Sequence, residues 1–164
     1  MNMITLVGLG YDIHRFSPVP RPLMLGGIKV HETQGLDGHS DADVLCHALA
    51  DAILGAIGER DIGYWFPPSD PACENINSLL IVQKAVELLQ AQGGRVVNAD
   101  CALIAEAPKI MPFVPDMKAT LAAVLGVRPQ RVGVKATTNE KLGAIGRGEG
   151  IAAFATVSLA LPDD

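Results

Sequence analysis

The sequence predicts an α+β fold: a mixed four-stranded sheet with a short hairpin, and three helices packed on one face. Three observations lead there. Four segments rich in β-branched residues (Ile4 to His14, Val96 to Ala105, Arg131 to Thr138 and Ile151 to Leu161) read as strands. Three others carry apolar residues at helical spacing. Glycine and proline punctuate the boundaries between them.

Taken in order, Ile4 to His14 contains Gly8 and Gly10, which mark a bend or a close approach by another backbone. Leu23 to Val30 reads as a hairpin turning near Gly26-Gly27. Ser40-Asp-Ala-Asp43 has the form of a capping box, with Ser40 as N-cap and Asp43 as its acid. Apolar residues follow at 44, 45, 48, 49, 52, 53 and 56, so a helix is expected from about 41 to about 57. Gly58 to Ile76 holds Pro67, Pro68 and Pro71 and is expected to be irregular. Long ordered loops are often functional. Leu79 to Gln92 is a second helix stopped by Gly93-Gly94. Pro115 to Leu125 is a third, with proline in its first turn and Gly126 past its end.

Composition sets the outer limits. A chain of 164 residues suits one domain, 1–164. Apolar residues make up 49% and aromatics only 4%, so the core must be aliphatic. A net charge of −5 argues against broad nucleic-acid binding, which needs a basic face. Cys46, Cys73 and Cys101 form no CxxC pair, and an odd count closes no disulfide framework. They read as reduced thiols of a cytoplasmic protein. No apolar run reaches the ~18 residues of a membrane span. The first residues lack the basic region and cleavage site of a signal peptide.

Asp12 and His14 stand at i and i+2 of a strand, on one face, about 6.6 Å apart at ~3.3 Å per residue. His47 lies early in the first predicted helix. A carboxylate with two imidazoles suits Zn²⁺ and leaves a fourth position open. The competing reading is an ordinary Asp-x-His and a satisfied helix histidine. Asp43 and Asp51 fall on the stripe of His47, where one of them could orient the imidazole or both could form a solvated acidic face. His39 precedes the predicted cap, where an anion is favoured; it reads as a phosphate contact or as a loop residue. His31 reads as a surface residue, and Cys46 points too far from His47 to be a ligand. Thr137, Thr138 and Glu140 end a strand and could hold phosphate oxygens and Mg²⁺, or be a threonine-rich edge. Gly146-Arg-Gly-Glu-Gly150 is neither a P-loop nor a dinucleotide fingerprint and reads as a flexible turn carrying Arg147. Ala105 to Pro112 must be a loop, lining a base pocket or merely connecting.

Together these pieces resemble the 2-C-methyl-D-erythritol 2,4-cyclodiphosphate synthase family of the non-mevalonate isoprenoid pathway. The matching motifs, in order, are Gly10-Tyr-Asp-Ile-His14, His39 to Asp51, Asp61-Ile-Gly63, Ala107-Pro-Lys109, Lys135-Ala-Thr-Thr138 with Glu140, and Gly146 to Gly150. The resemblance covers nearly the whole chain. It implies a homotrimer with active sites between subunits. It implies a phosphorus-oxygen lyase that converts 4-diphosphocytidyl-2-C-methyl-D-erythritol 2-phosphate to the cyclic diphosphate and CMP. Asp12, His14 and His47 would then bind Zn²⁺, and Glu140 a second ion, Mg²⁺ or Mn²⁺. His39 and Thr138 would orient and stabilise the reacting phosphates. Ser40, Asp61, Gly63, Phe66, Asp70 and Arg147 would join the substrate contacts, with Asp61 and Gly63 at the ribose. Ala105, Ala107, Pro108, Lys109, Ile110 and Met111, with Thr137, would hold cytosine and its phosphate from the adjacent subunit.

The chain departs from the family pattern in three places. Gly143-Ala144-Ile145 has no aromatic where relatives line an axial cavity, so weak isoprenoid-diphosphate binding is expected. Pro68 stands where an acid is common, and Asn77-Ser78 where Asp-Ser is common. Two other functions fit parts of the pattern: a zinc-dependent phosphohydrolase, and a non-catalytic trimeric binder of cytidine nucleotides.

Overall fold

The structure, a computed structural model, describes residues 2–163. Four strands make the main sheet: β1 (Met3–Arg15), β4 (Arg95–Ile104), β5 (Val132–Thr137) and β6 (Gly150–Pro162). Their spatial order is β1-β6-β4-β5, with β4 and β5 parallel and the other pairs antiparallel. The mixed sheet is therefore as expected. A separate hairpin, β2 (Leu23–Leu25) and β3 (Ile28–His31), turns at Gly26 and Gly27, both at positive φ as its tight turn requires. Three long helices, α1 (Val44–Ala56), α3 (Leu79–Ala91) and α4 (Val114–Leu125), cover one face. They close one aliphatic core with the inward residues of every strand.

Glycine decides how closely α1 meets the sheet. A Cβ on Gly8 would stand 1.8 Å from the Ala52 carbonyl oxygen, and one on Gly10 would stand 1.7 Å from that of Ala48. No larger residue fits. The pair marks a close approach rather than a bend, and the helix lies directly on β1. It is buried almost all round, from Val44 to Ala50 and from Ala52 to Leu54.

Several local expectations are corrected. The first helix starts at Val44, not near 41, because Ala42 sits in the left-handed region at φ 57 and Asp43 is extended. Asp43, not Ser40, is the N-cap; its carboxylate accepts from Cys46 N at 3.0 Å. The proline-rich stretch is not wholly irregular. It holds a one-turn helix, α2 (Ile62–Trp65), and a 3₁₀ turn, Pro71–Cys73. The glycine-rich turn likewise contains a one-turn helix, α5 (Gly143–Gly146).

The opposite face of the sheet is bare. Val7 and Leu9 are 73% and 66% exposed, and Tyr11, Ile13 and Phe154 continue the apolar surface. Tyr11 and Phe154, paired across β1 and β6, pack with ring centroids 4.9 Å apart and planes tilted by 49°.

Candidate metal centre

Asp12 and His14 face α1 because they continue the inward series of Gly8 and Gly10. His47 is the fourth residue of α1 and precedes Ala48, whose carbonyl rests on Gly10. The close helix–strand contact thus delivers the imidazole to the carboxylate. Asp12 Oδ2 lies 2.9 Å from His14 Nε2 and 3.0 Å from His47 Nδ1. One ligand atom from each residue falls within 4.8 Å of the others.

The outer nitrogens are held as well. His14 Nδ1 lies 2.7 Å from the Asp37 carbonyl oxygen, which can only accept. Nδ1 therefore carries hydrogen, and in the neutral ring Nε2 keeps its lone pair. His47 Nε2 faces Ser40 Oγ at 3.1 Å and Ser78 Oγ at 3.0 Å. Arg21 steadies the loop between, donating to Gly38 O at 2.9 Å and Ser40 O at 2.7 Å. A carboxylate and an imidazole lone pair facing each other repel unless a positive charge lies between them. A proton or a metal ion supplies it, so this donor set fits a divalent metal.

The protonation energetics agree. Burial pushes the Asp12 carboxyl up, but hydrogen bonds to His14 and His47 outweigh it and hold the group at about 2. His14 is raised above 6.5 by its hydrogen bond to Asp12, against the opposing effect of burial.

The triad borders a cavity of about 220 Å³, which His39, Ser40, Gly63, Phe66 and Pro68 also line. His39 is not at the helix N-terminus. Asp43 already takes the Cys46 N–H there, and His39 instead rests its Nε2 3.4 Å from Asp70 O. Neither Asp43 nor Asp51 orients His47, as one of the sequence readings had it. Asp43 is spent on the hairpin turn, accepting from Gly26 N and Gly27 N at 2.9 and 2.7 Å. Asp51 accepts from Ile62 N at 3.1 Å. The Asp61 and Asp70 carboxylates cap local turns through Tyr64 N and Ala72 N.

The other expected residues gather elsewhere. Ala105, Pro108, Lys109, Ile110, Met111, Thr137 and Thr138 line a second cavity of about 430 Å³. Ala107 faces a neighbouring cleft with Phe16 and Gly148. Glu140 and Lys141 follow at φ 53 and 60, a backbone state uncommon for such residues and concentrated at functional sites. Glu106 holds the loop by accepting from Lys141 N at 2.7 Å. Arg147 pairs with Glu149 at 2.6 Å.

Both cavities lie at one end of the sheet, since His14 pairs with Ile151, and Ile104 with Ala152 and Thr137. They lie at opposite edges, however. β1 and β5 are three strand spacings apart, roughly 14 Å. One chain does not bring Thr138 and Glu140 to the triad.

Sequence reasoning missed Ser78, Asp41, Arg21 and the Asp37 carbonyl. Ser78 directly precedes α3, yet its side chain makes no capping bond. No motif signals its contact with His47. Cys46 and Cys101 are buried and unpaired, and burial pushes the Cys101 thiol up to about 12, so neither is reactive.

Comparison with known proteins adds three kinds of likeness. The YgbB family model matches residues 5–160. The 2-C-methyl-D-erythritol 2,4-cyclodiphosphate synthase of Akkermansia muciniphila is 64% identical over 163 residues, covering 99% of this chain and 96% of its own. Among solved structures, the bifunctional IspDF of Campylobacter jejuni superposes with a TM-score of 0.93 at 41% identity, over 99% of this chain and 44% of that one. Plasmodium falciparum IspF, solved as a CDP complex, superposes with a TM-score of 0.82 at 34% identity, over 98% and 97%.

Proposed function

The chain belongs to the YgbB family, and from that premise we propose that it cyclises 4-diphosphocytidyl-2-C-methyl-D-erythritol 2-phosphate to 2-C-methyl-D-erythritol 2,4-cyclodiphosphate, releasing CMP. The observation that carries this reading is the convergence of Asp12, His14 and His47 on one point beside His39. In the reaction an oxygen of the 2-phosphate forms a bond to the β-phosphorus. The bond from that phosphorus to the bridging oxygen breaks, and CMP leaves with that oxygen. A phosphate dianion is already a nucleophile, so no strong general base is required.

The residues divide the work. Asp12, His14 and His47 would hold Zn²⁺, and Glu140 a second ion, Mg²⁺ or Mn²⁺, together with substrate phosphates. Bound ions neutralise the diphosphate and help hold it for in-line attack. His39 and Thr138 orient the reacting phosphates. Ser40, Gly63, Phe66, Asp61 and Asp70 border the erythritol and ribose. The loop from Ala105 to Met111, with Thr137, grips cytosine and its phosphate. Holding the substrate folded can supply up to about 7–11 kcal/mol of the barrier reduction.

The two cavities must belong to one site, which calls for a second copy of the chain. The bare apolar face of β1 and β6 suits self-association, and a closed ring of three would set the β5 edge of one copy against the β1 edge of the next. The whole of 1–164 acts as one synthase domain. No helix among the described residues is long and apolar enough to cross a membrane. Buried unpaired thiols suit the reducing cytoplasm.

Phosphorus NMR on the cytidyl substrate tests this reading. It predicts a cyclic diphosphate and CMP in equal amounts. A linear product with free phosphate would make the protein a hydrolase, and no turnover a nucleotide binder; either result overturns the proposal.

A further inference from the structure

Ser78 is buried and sits beside His47 without contributing to the cavity wall. Asp41 accepts from it twice: from Ser78 N at 3.1 Å and from Ser78 Oγ in a short hydrogen bond. The hydroxyl proton is therefore committed to the carboxylate. What remains on Ser78 Oγ, facing His47 Nε2 at 3.0 Å, is a lone pair. Ser40 also meets Nε2, at 3.1 Å, and accepts from Ala42 N. Its own proton is not tied to an acceptor, so Ser40 can either donate to Nε2 or accept from it.

Two neutral tautomers of His47 are available. With hydrogen on Nδ1, the ring would donate to Asp12, and Nε2 would meet the Ser78 lone pair as a second acceptor in a buried site. With hydrogen on Nε2, the ring donates to the Ser78 lone pair, Ser40 Oγ already accepting from Ala42 N, and Nδ1 presents a lone pair toward Asp12 and His14. Only the second can ligate a metal at this point. Asp41 and Ser78 decide between them, because Ser40 accommodates both.

We infer that Ser78, oriented by Asp41, is a positioning residue that locks His47 in the Nε2–H tautomer and so prepares Nδ1 as a metal ligand. This rests on the metal-site reading above. Outer partners of metal-bound histidines typically change affinity 10–100-fold when removed. Ser78→Ala frees Ser40 to donate to Nε2, which lets the ring adopt the non-ligating tautomer. Asp41→Asn weakens the same lock by offering an amide hydrogen that Ser78 Oγ can accept.

The test is zinc affinity of the chelator-stripped full-length chain, measured by competition, with circular dichroism confirming that each variant is folded. Ser78→Ala should bind zinc about 10–100-fold more weakly than the unsubstituted protein. Asp41→Asn should lose several-fold, and Ser40→Ala less than Ser78→Ala. In zinc-loaded protein, the His47 Nε2–H resonance should be slow to exchange, and in Ser78→Ala it should move upfield and exchange faster. Should Ser78→Ala prove unfolded, Asp41→Asn with the same resonance decides. Folded variants with zinc affinity within twofold and an unchanged resonance would overturn the lock alone. An unsubstituted protein that binds no zinc would overturn both the lock and the metal site beneath it.

Discussion

The two cavities are built in opposite ways. The one at β1 is finished within a single chain. Its ligands come from a strand and a helix pressed together by Gly8 and Gly10, and Asp37, Ser40 and Ser78 back the imidazoles. The one at the β5 edge is open. Lys109, Thr137, Thr138 and Glu140 are exposed, on loops and a strand end held by strained backbone and by Glu106. The contrast teaches where precision is needed before substrate arrives. A metal site requires fixed tautomers and sub-ångström placement. On the proposed function, a nucleotide grip at the β5 edge could be completed by the ligand and by a second copy.

Substitutions on the two sides should therefore fail differently. His47→Ala strikes the finished side. It should abolish zinc binding and lower kcat/KM by on the order of 10³-fold, the loss of several kcal/mol of charge stabilisation. The fold should persist, as judged by circular dichroism. Retained zinc at full activity would remove His47 from the ligand set. Glu140→Gln strikes the open side. A loss of about 10²-fold in kcat is expected from one missing charge at the reacting phosphates. Zinc affinity of the free protein should stay unchanged, because Glu140 lies at the other edge of the sheet. A matching drop in zinc affinity would show that the two sides are not separate.

The smallest effect is one of pH, and it concerns the finished side alone. In the metal-free protein His14 titrates above 6.5, so its contribution to stability is complete below pH 6.5 and is lost as pH rises through the raised value. Asp12, held at about 2, contributes above its ordinary 3.8, and that contribution is lost as pH falls toward 2. A divalent ion competes with the His14 proton. Zinc affinity should therefore climb about tenfold per pH unit while His14 is losing that proton, and level off above. Melting temperatures of stripped and zinc-loaded protein should diverge over the same interval. Parallel curves would show that metal and proton do not share the lone pair.

Part of the finished side was legible in the chain: strand periodicity puts Asp12 and His14 on one face, but only the family resemblance, not spacing, joined His47 to them. Gly8 and Gly10 left a bend or a close approach open, and the structure shows the close approach, by α1. The start of α1 was misread because Ser40 and Asp43 are both competent caps. The left-handed turn at Ala42, which excludes Ser40, is a tertiary effect. Ser78 was invisible as a partner of His47, for it comes 31 residues later and carries the ordinary signature of a helix start. The one-turn helices α2 and α5 are too short to show a period. The open side was legible as motifs but not as a place, since strand order, not sequence, puts β5 and β1 at opposite edges.

The central claim is that one active site is shared by two chains, and mixing tests it most directly. His47→Ala and Glu140→Gln chains, each expected to keep about 1% of the activity or less, are co-expressed with different tags and the mixed assemblies purified. On the proposed reading each site would take its metal half from one copy and its nucleotide half from the next. A ring of three that holds both chains has one restored site in three whichever chain is doubled, so the purified mixed assemblies should show about a third of the unsubstituted activity. Mixed assemblies no more active than the two separate variants would place the whole site within one chain and contradict the account.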